Sequence, residues 1–230
     1  MSTSAAAPSA AIQKYVLNGI HIELPDAVSG PAVSAALANG KYEHKEAGAL
    51  QKLLSPDDIY FEVGAGVGYL STLAYKTINK PGHVFAYEAN PSLIPVIQRT
   101  WELNGVSAVV ENCVLGDGEG SVQFNVSNEF WASSATVATH KARKVEVRRR
   151  DFGAELAAAR PSVLVMDIEG GERDLLLGRS LPLSIRKVVV EMHPQFIGPR
   201  TCSEIVKQML HQGFTISFDL LKGPMFAFWR

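Results

Sequence analysis

Three groups of acidic residues, one of them joined by a histidine, stand where this chain could do chemistry. In Ile59-Tyr60-Phe61-Glu62-Val63-Gly64-Ala65-Gly66-Val67-Gly68-Tyr69, Glu62 comes just before the glycine run. Glycine lets a backbone turn tightly and lets a ligand approach it closely. A strand, a glycine turn and a helix in succession can hold any nucleotide-like cofactor. Glu62 narrows that choice. A pyrophosphate at the helix N-terminus would be repelled by a neighbouring carboxylate. S-adenosylmethionine (SAM) has no phosphate and carries an ammonium and a sulfonium, so Glu62 favours SAM and disfavours NAD. Glu88 follows 20 residues after Gly68, at the end of the next strand. In a doubly wound sheet the ends of the first two strands flank the cofactor crevice, and a carboxylate there can accept both ribose hydroxyls. The alternative for Glu88 alone is a solvated strand end.

The third group is Val163-Leu164-Val165-Met166-Asp167-Ile168-Glu169-Gly170-Gly171-Glu172. An apolar strand runs into Asp167 and Glu169. If the backbone stays extended, residues two apart point to one side, and both carboxylates converge above the carboxyl end of the sheet. Like charges at that separation raise one pKa, which suits acid–base or cation-binding work. Glu172 and Asp174 fall in a first helical turn, where anions are favoured anyway, and need no further role. Val188-Val189-Val190-Glu191-Met192-His193 brings a carboxylate and a histidine to the same sheet end. His193 reads either as a structural histidine or as a catalytic one. Asp167, Glu191 and His193 could chelate a hard cation, but no spacing marks a metal site, and none is assigned.

The elements that must position these groups follow from periodicity and punctuation. Strands are predicted at Ile59 to Val63, His83 to Tyr87, Ala108 to Leu115, Val163 to Met166 and Val188 to Val190. Two closing strands follow, Phe214 to Phe218 and Met225 to Trp229. Helices are predicted at Pro31 to Asn39, Glu46 to Leu54, Tyr69 to Ile78, Pro91 to Leu103, Glu172 to Leu177 and Ser203 to His211. Tyr15 to Leu24 reads as a short strand or turn. Val122 to Val126 and Lys144 to Arg148 alternate and pair as an antiparallel excursion. Strands alternating with helices imply an α/β fold with a mostly parallel sheet covered on both faces.

Composition bounds the rest. The chain of 230 residues can bury one full core. Net charge is −1, so no global field steers it to nucleic acid or membrane. Two cysteines, Cys113 and Cys202, make no disulfide framework and fit a reducing cytoplasm. No apolar run approaches the roughly 20 residues that span a bilayer. Residues 1–11, rich in Ser and Ala, lack the basic and apolar regions of a signal peptide and read as a disordered tail.

These segments together carry a family resemblance. Phe61 to Tyr69, Gly82-His83-Val84-Phe85-Ala86-Tyr87-Glu88-Ala89-Asn90-Pro91, Met166-Asp167-Ile168-Glu169-Gly170-Gly171-Glu172 and Glu191-Met192-His193 resemble the FkbM family of SAM-dependent methyltransferases. The Asp-x-Glu-Gly-x-Glu element is the most specific, because generic methyltransferases lack it. The resemblance covers roughly Tyr42 to His193. The family pattern usually has Asp where this chain has Glu62, and Asn where it has Gly66. The resemblance implies a Rossmann-like class I methyltransferase: a mostly parallel seven-stranded sheet with an antiparallel C-terminal hairpin and helices on both faces. It implies a helical segment at residues 12–57 packed on a methyltransferase domain at residues 58–230. By the same resemblance Glu62, Gly64, Ala65, Gly66 and Gly68 would hold the methionine part of SAM. Glu88 and Ala89 would lie at the ribose, and Asn112, Cys113 and Val114 would edge the adenine. Family substrates are hydroxyls on sugars or other natural-product scaffolds.

For catalysis, His193 is the expected base, since its unperturbed pKa lies near 6.5, with Asp167 and Glu169 orienting the acceptor and the SAM amino group. Phe130-Trp131, near Ser133, Ser134 and His140, could stack on a sugar ring or anchor the excursion. Lys141, Arg143, Lys144, Arg148, Arg149 and Arg150 form a solvated strand face or attract an anionic handle on the acceptor. Two other readings remain in view. One is a nucleic-acid methyltransferase docking through Lys141 to Arg150, which near-neutral charge and the lack of an RNA-binding module disfavour. The other is a SAM-binding protein without turnover.

Overall fold

The computed structural model describes residues 11–126 and 143–230. A hairpin of β1 (Ile12–Leu17) and β2 (Ile20–Pro25) comes first. It turns at Asn18 and Gly19, both at positive φ, the residue pair that a tight hairpin turn favours. Helices α1 (Pro31–Ala38) and α2 (His44–Leu53) follow. Next come β3 (Tyr60–Val63), α3 (Tyr69–Ile78), β4 (Val84–Glu88), α4 (Ile94–Asn104) and β5 (Val109–Asn112). An excursion is built from β6 (Val114–Gly116), β7 (Gly120–Val126) and β8 (Arg143–Asp151). The chain then runs through α5 (Phe152–Ala159), β9 (Val163–Met166), α6 (Glu172–Leu176), β10 (Lys187–Glu191), α7 (Pro194–Ile197) and α8 (Pro199–His211). It closes with β11 (Thr215–Ile216) and β12 (Met225–Trp229).

Seven strands form the main sheet in the order β11-β12-β10-β9-β3-β4-β5. The pairs β10–β9, β9–β3, β3–β4 and β4–β5 are parallel, and β12 is antiparallel to both its neighbours. This is the sheet that the family resemblance implies. Alternation along the central strands sorts side chains into two cores. Val163, Val165, Val189 and Ala227 pack with the hairpin and α1 to α4. Leu164, Met166, Val188, Val190 and Phe228 pack with α5, α6 and α8. Residues two apart share a face, and both faces are covered, so these strands are apolar throughout.

Several elements differ from the sequence reading, which had no helix at α5 or α7. Residues 12–57 open with a hairpin, whose Leu17, Ile20, Ile22 and Leu24 join the first core. The strand expected over Ala108 to Leu115 breaks at Cys113, whose N–H donates to the Glu88 carbonyl at 3.1 Å. Val114 to Gly116 then pair with β8 in a separate three-stranded sheet, β6-β8-β7. The closing hairpin keeps only two residues in β11, because Phe218–Leu220 turns into a short 3-10 helix. The expected pairing of Val122 to Val126 with Lys144 to Arg148 is present in antiparallel register.

Candidate active site

The site lies where β3 and β9 part. Chain order runs outward from this pair, through β4 and β5 on one side and β10 and β12 on the other. That reversal opens a crevice beyond the carboxyl ends of the strands. Val63 pairs with Met166, and the two loops that follow remain in contact. Gly64 sits at φ +88°, and a Cβ there would fall 2.0 Å from the Asp167 carbonyl oxygen. Only glycine lets the two backbones approach so closely. At Gly66 (φ +55°) a Cβ would fall 2.5 Å from the Tyr42 hydroxyl. Tyr42 thus takes the room that the family's usual Asn would need.

A cavity of about 910 Å³ opens over this loop, at the upper end of the range for small-molecule sites. Gly64, Gly66, Glu88, Ala89, Cys113 and Val114 are on its wall. Glu62, Ala65, Gly68 and Asn112 are not. Asn112 braces the wall from behind, its Nδ2 donating to the carbonyls of Glu88 (2.8 Å) and Ala89 (3.2 Å). Ala65 is buried, its N–H donating to the Tyr87 carbonyl. Gly68 caps α3, and its carbonyl accepts from the Thr72 hydroxyl at 2.6 Å.

Glu88 accepts from the backbone N–H of Gly66 (3.0 Å) and of Asn90 (2.7 Å), so its carboxylate ties the glycine loop to β4. Burial pushes it up to about 7 against those hydrogen bonds. Glu62 is more extreme. It is 1% exposed beneath the loop. Tyr60 donates to its Oε1 at 3.0 Å, and its Oε2 has no hydrogen-bond partner. Burial raises Glu62 to about 8, opposed by Ser71 and Tyr60 and reinforced by Glu88 and Asp167. Burial thus favours the protonated form of Glu62 at neutral pH.

Asp167, Glu169 and His193 come together as expected, but by a different backbone route. β9 ends at Met166, and Glu169 stands at φ +48°, in the left-handed region. A turn, not an extended strand, brings the two carboxylates to one place. His193 Nε2 lies 3.5 Å from Asp167 Oδ1 and 3.5 Å from Glu169 Oε2. Its Nδ1 donates to Glu172 Oε1 at 2.7 Å. The reading of Glu172 as a residue with no further role is corrected by this bond. Glu172 is fully buried and also accepts from the N–H groups of Ile168 and Gly170. Asp174 pairs with Arg173 on the surface, as a first-turn anion would. Burial lowers the His193 pKa, but Glu172, Asp167 and Glu169 outweigh it and lift the imidazole to about 9. The expectation of an ordinary value near 6.5 fails, because three carboxylates from the one segment that runs from β9 into α6 face the ring.

Asp167 and Glu169 line the large cavity and also a second one of about 410 Å³, which His193, Glu46 and Glu191 share. The cluster is the wall between the two. At the outer part of the large cavity stand Arg149, Arg173 and Arg179. Most of the basic strand β8 is committed locally. Arg148 pairs with Glu119 and Arg150 with Glu111 and Glu155, whereas Arg149 donates to the Gly118 carbonyl beside the cavity. Phe130, Trp131, Ser133, Ser134, His140 and Lys141 lie outside the described residues, as do residues 1–10 of the expected tail.

Comparison with known proteins bears on the same segments. The model of the methyltransferase FkbM domain matches residues 62–216. No curated protein matches the sequence. Among solved structures, the ribosomal protein L11 methylase of Lactobacillus delbrueckii subsp. bulgaricus has a TM-score of 0.50 at 14% identity, over 83% of this chain and 78% of its own. A transferase from Pyrococcus horikoshii gives 0.50 at 16% identity, over 94% of this chain and 69% of its own. TYW2 of P. horikoshii, solved with MeSAdo, gives 0.49 at 14% identity, over 94% and 69%. Likeness at these identities speaks to the fold alone. Among the described residues no helix is long and apolar enough to cross a membrane.

Proposed function

The chain belongs to the FkbM methyltransferase family, with SAM as its methyl donor, and from that premise we propose that it methylates a hydroxyl of a sugar or other natural-product scaffold. The observation that carries this reading is the Asp167–Glu169–His193 cluster on the wall between the two cavities. A hydroxyl is a poor nucleophile at neutral pH and needs help in losing its proton as the new bond forms. The cluster puts three polar groups able to orient the hydroxyl and ease the loss of its proton beside the large cavity. Methyl transfer from a sulfonium is an in-line displacement, so much of the rate comes from alignment. The buried Glu172 fixes the His193 ring for that purpose.

In this reading Glu88 accepts from the ribose hydroxyls, giving up backbone bonds it makes in the empty protein. Glu62 faces the methionine end through the glycine loop, and Cys113 and Val114 edge the adenine. Asn112 acts through the Glu88–Ala89 backbone as a positioning residue. Arg149, which lines the large cavity and makes no ion pair with a carboxylate among the described residues, favours an acceptor with an anionic group. The ion pairs of Arg148 and Arg150 leave β8 poorly suited to docking a phosphate backbone.

The test is incubation of a metabolite extract with methyl-labelled SAM and the protein, followed by untargeted mass spectrometry. Label in an ether of a hydroxylated small molecule is the expected result. Label in nucleic acid, with salt-sensitive retention on it, would overturn the acceptor class. SAM binding without turnover on any pool would overturn the reading as an enzyme of this kind.

A further inference from the structure

We infer that Asp167, Glu169 and His193 bind a divalent cation of the Mn²⁺/Mg²⁺ class on the wall between the two cavities, where it meets the acceptor hydroxyl. Its catalytic role rests on the O-methyltransferase reading above; the site itself does not.

The donor geometry is the first argument. One oxygen from each carboxylate and the His193 Nε2 all lie within 4.8 Å of one another, with the imidazole nitrogen 3.5 Å from each oxygen. A cation with ligand bonds of about 2.1–2.3 Å holds neighbouring donors about 3 Å apart. Closing on an ion needs movements well under an ångström. The ring is also oriented as a ligand. A metal-bound histidine commonly donates its other ring N–H to a carboxylate, and Glu172 Oε1 takes the Nδ1 proton at 2.7 Å. The Glu172–His193 bond leaves Nε2 facing Asp167 and Glu169. The backbone at Glu169 is left-handed, a conformation that a residue with a side chain rarely adopts, and it is this turn that brings the carboxylate round to His193.

A second, independent observation comes from α2. Glu46 is 5% exposed, lines the same second cavity, and its Oε1 has no hydrogen-bond partner. A buried polar atom left unpaired is costly. A cation, or water held by one, would satisfy it. Glu191 adds another carboxylate to this cavity, against Lys41, His44 and Lys45 at its rim. The donor set names the ion class. Two carboxylates to one imidazole make an oxygen-rich donor set, the kind that suits Mg²⁺ and Mn²⁺.

The step balances without a further reactant. The acceptor O–H, its oxygen on the cation, releases its proton to solvent. An oxygen lone pair forms the bond to the methyl carbon, and the S–C bonding pair returns to sulfur. The products are the methyl ether, S-adenosylhomocysteine and one proton.

The test is titration of the chelator-treated full chain with Mn²⁺, followed by electron paramagnetic resonance of the free ion, with and without SAM. One saturable site is expected, with affinity roughly tenfold or more lower in Asp167→Asn and Glu169→Gln. Bound Mn²⁺ should show a nitrogen coupling in spin-echo spectra that is lost in His193→Gln, with the fold of each variant checked by circular dichroism. Glu204→Gln, on an exposed ion pair of α8, should bind as the wild type does. Absence of Mn²⁺ binding to folded wild-type protein overturns the inference, as does bound Mn²⁺ whose nitrogen coupling is missing or survives in His193→Gln. The measurement needs no acceptor. Mn²⁺ bound as described, with no hydroxyl methylated, would sink the O-methyl reading and leave the cation site standing. Hydroxyl methylation by a chain that binds no Mn²⁺ would do the reverse.

Discussion

Binding of SAM should expel protons from this protein, and the amount can be worked out from two buried carboxyls. Burial holds Glu62 at about 8 and Glu88 at about 7. The groups around them are mostly acidic or neutral: Tyr60, Ser71, Glu88 and Asp167 for Glu62, and the N–H groups of Asn90, Gly66, Ala89 and Ala65 for Glu88. Both carboxyls are therefore protonated in the empty protein at pH 6. A ribose diol and a cationic amino acid favour both as carboxylates, so each proton must leave on binding. Below its pKa each such proton weakens binding about tenfold per pH unit. From pH 6 to pH 7.5, Glu88 alone strengthens SAM binding about eightfold, and both together about two-hundredfold. The ligand's own ammonium, with a pKa of about 7.7–8.0, stays mostly charged in that range. Isothermal titration in two buffers of different ionisation enthalpy reads the released protons directly. At pH 6 Glu88→Gln should lower the count by about one, and at pH 7.5 it should weaken binding by about tenfold or more, through lost charge-assisted hydrogen bonds. The same shifts fix the stability of the empty protein. Raised pKa values favour the folded state at low pH, and that advantage is lost as pH rises from about 4.5 through 7 and 8. Glu62→Gln should therefore melt higher than the wild type at pH 8. A Kd unchanged between pH 6 and pH 7.5, with buffer-independent enthalpies, would refute the reasoning.

Two further outcomes separate parts of the structure. Arg149→Ser should raise the KM for an anionic acceptor, with an effect that shrinks at high salt because exposed charges are screened over about 8–10 Å, while Arg148→Ser, already paired with Glu119, should not; equal effects in steady-state kinetics would return β8 to a solvated face. Asp58→Ala removes the partner of Lys187, 2.6 Å away at the amino end of the sheet, and should cost about 3–5 kcal/mol in urea unfolding with SAM affinity of the folded protein unchanged.

Much of this architecture was legible because single residues carried it. The continuous apolar runs at Val163 to Met166 and Val188 to Val190 mark central strands, since both faces are covered. Glu62 with its glycines and the Asp167-x-Glu169 element mark the two loops of the switch point. What escaped depends on contacts distant in sequence. Glu172 sits in a first helical turn, where an acidic residue is expected anyway, and its bond to His193 spans 21 residues. The raised pKa of His193 has no local signal, because Asp167, Glu169 and Glu172 reach it from another loop. Tyr42 fills the space beside Gly66 from a segment before the first strand of the main sheet. The hairpin had a signal, Asn18-Gly19 between two alternating runs, that the reading of Tyr15 to Leu24 left undecided. Nothing local distinguishes Asn112, which faces the backbone, from Cys113 and Val114, which face the cavity.

The two ends of the main sheet use the same residue type in opposite ways. At the amino end, Asp58 is buried, yet its carboxylate is met by the Ser55 N–H, the Ser162 hydroxyl and Lys187. Burial works against the charge there, but these partners outweigh it and hold Asp58 below the ordinary range. Its contribution to stability is present at neutral pH and lost only as pH falls through the carboxylate range. At the carboxyl end, Glu43, Glu62, Glu88, Asp167 and Glu169 are all pushed upward by burial, and several of their neighbours are other carboxylates. Unpaired oxygens remain on Glu43, Glu46, Glu62 and Glu172. A fold that satisfies every buried polar group would treat both ends as it treats Asp58. This chain concentrates its unmet acceptors at one end, where the strand order reverses and a crevice must open. Positive charge delivered from outside, by a sulfonium cofactor and by a bound cation, is what that end lacks. The contrast lies within one sheet, since Asp58 at the other end has its charge met by three partners.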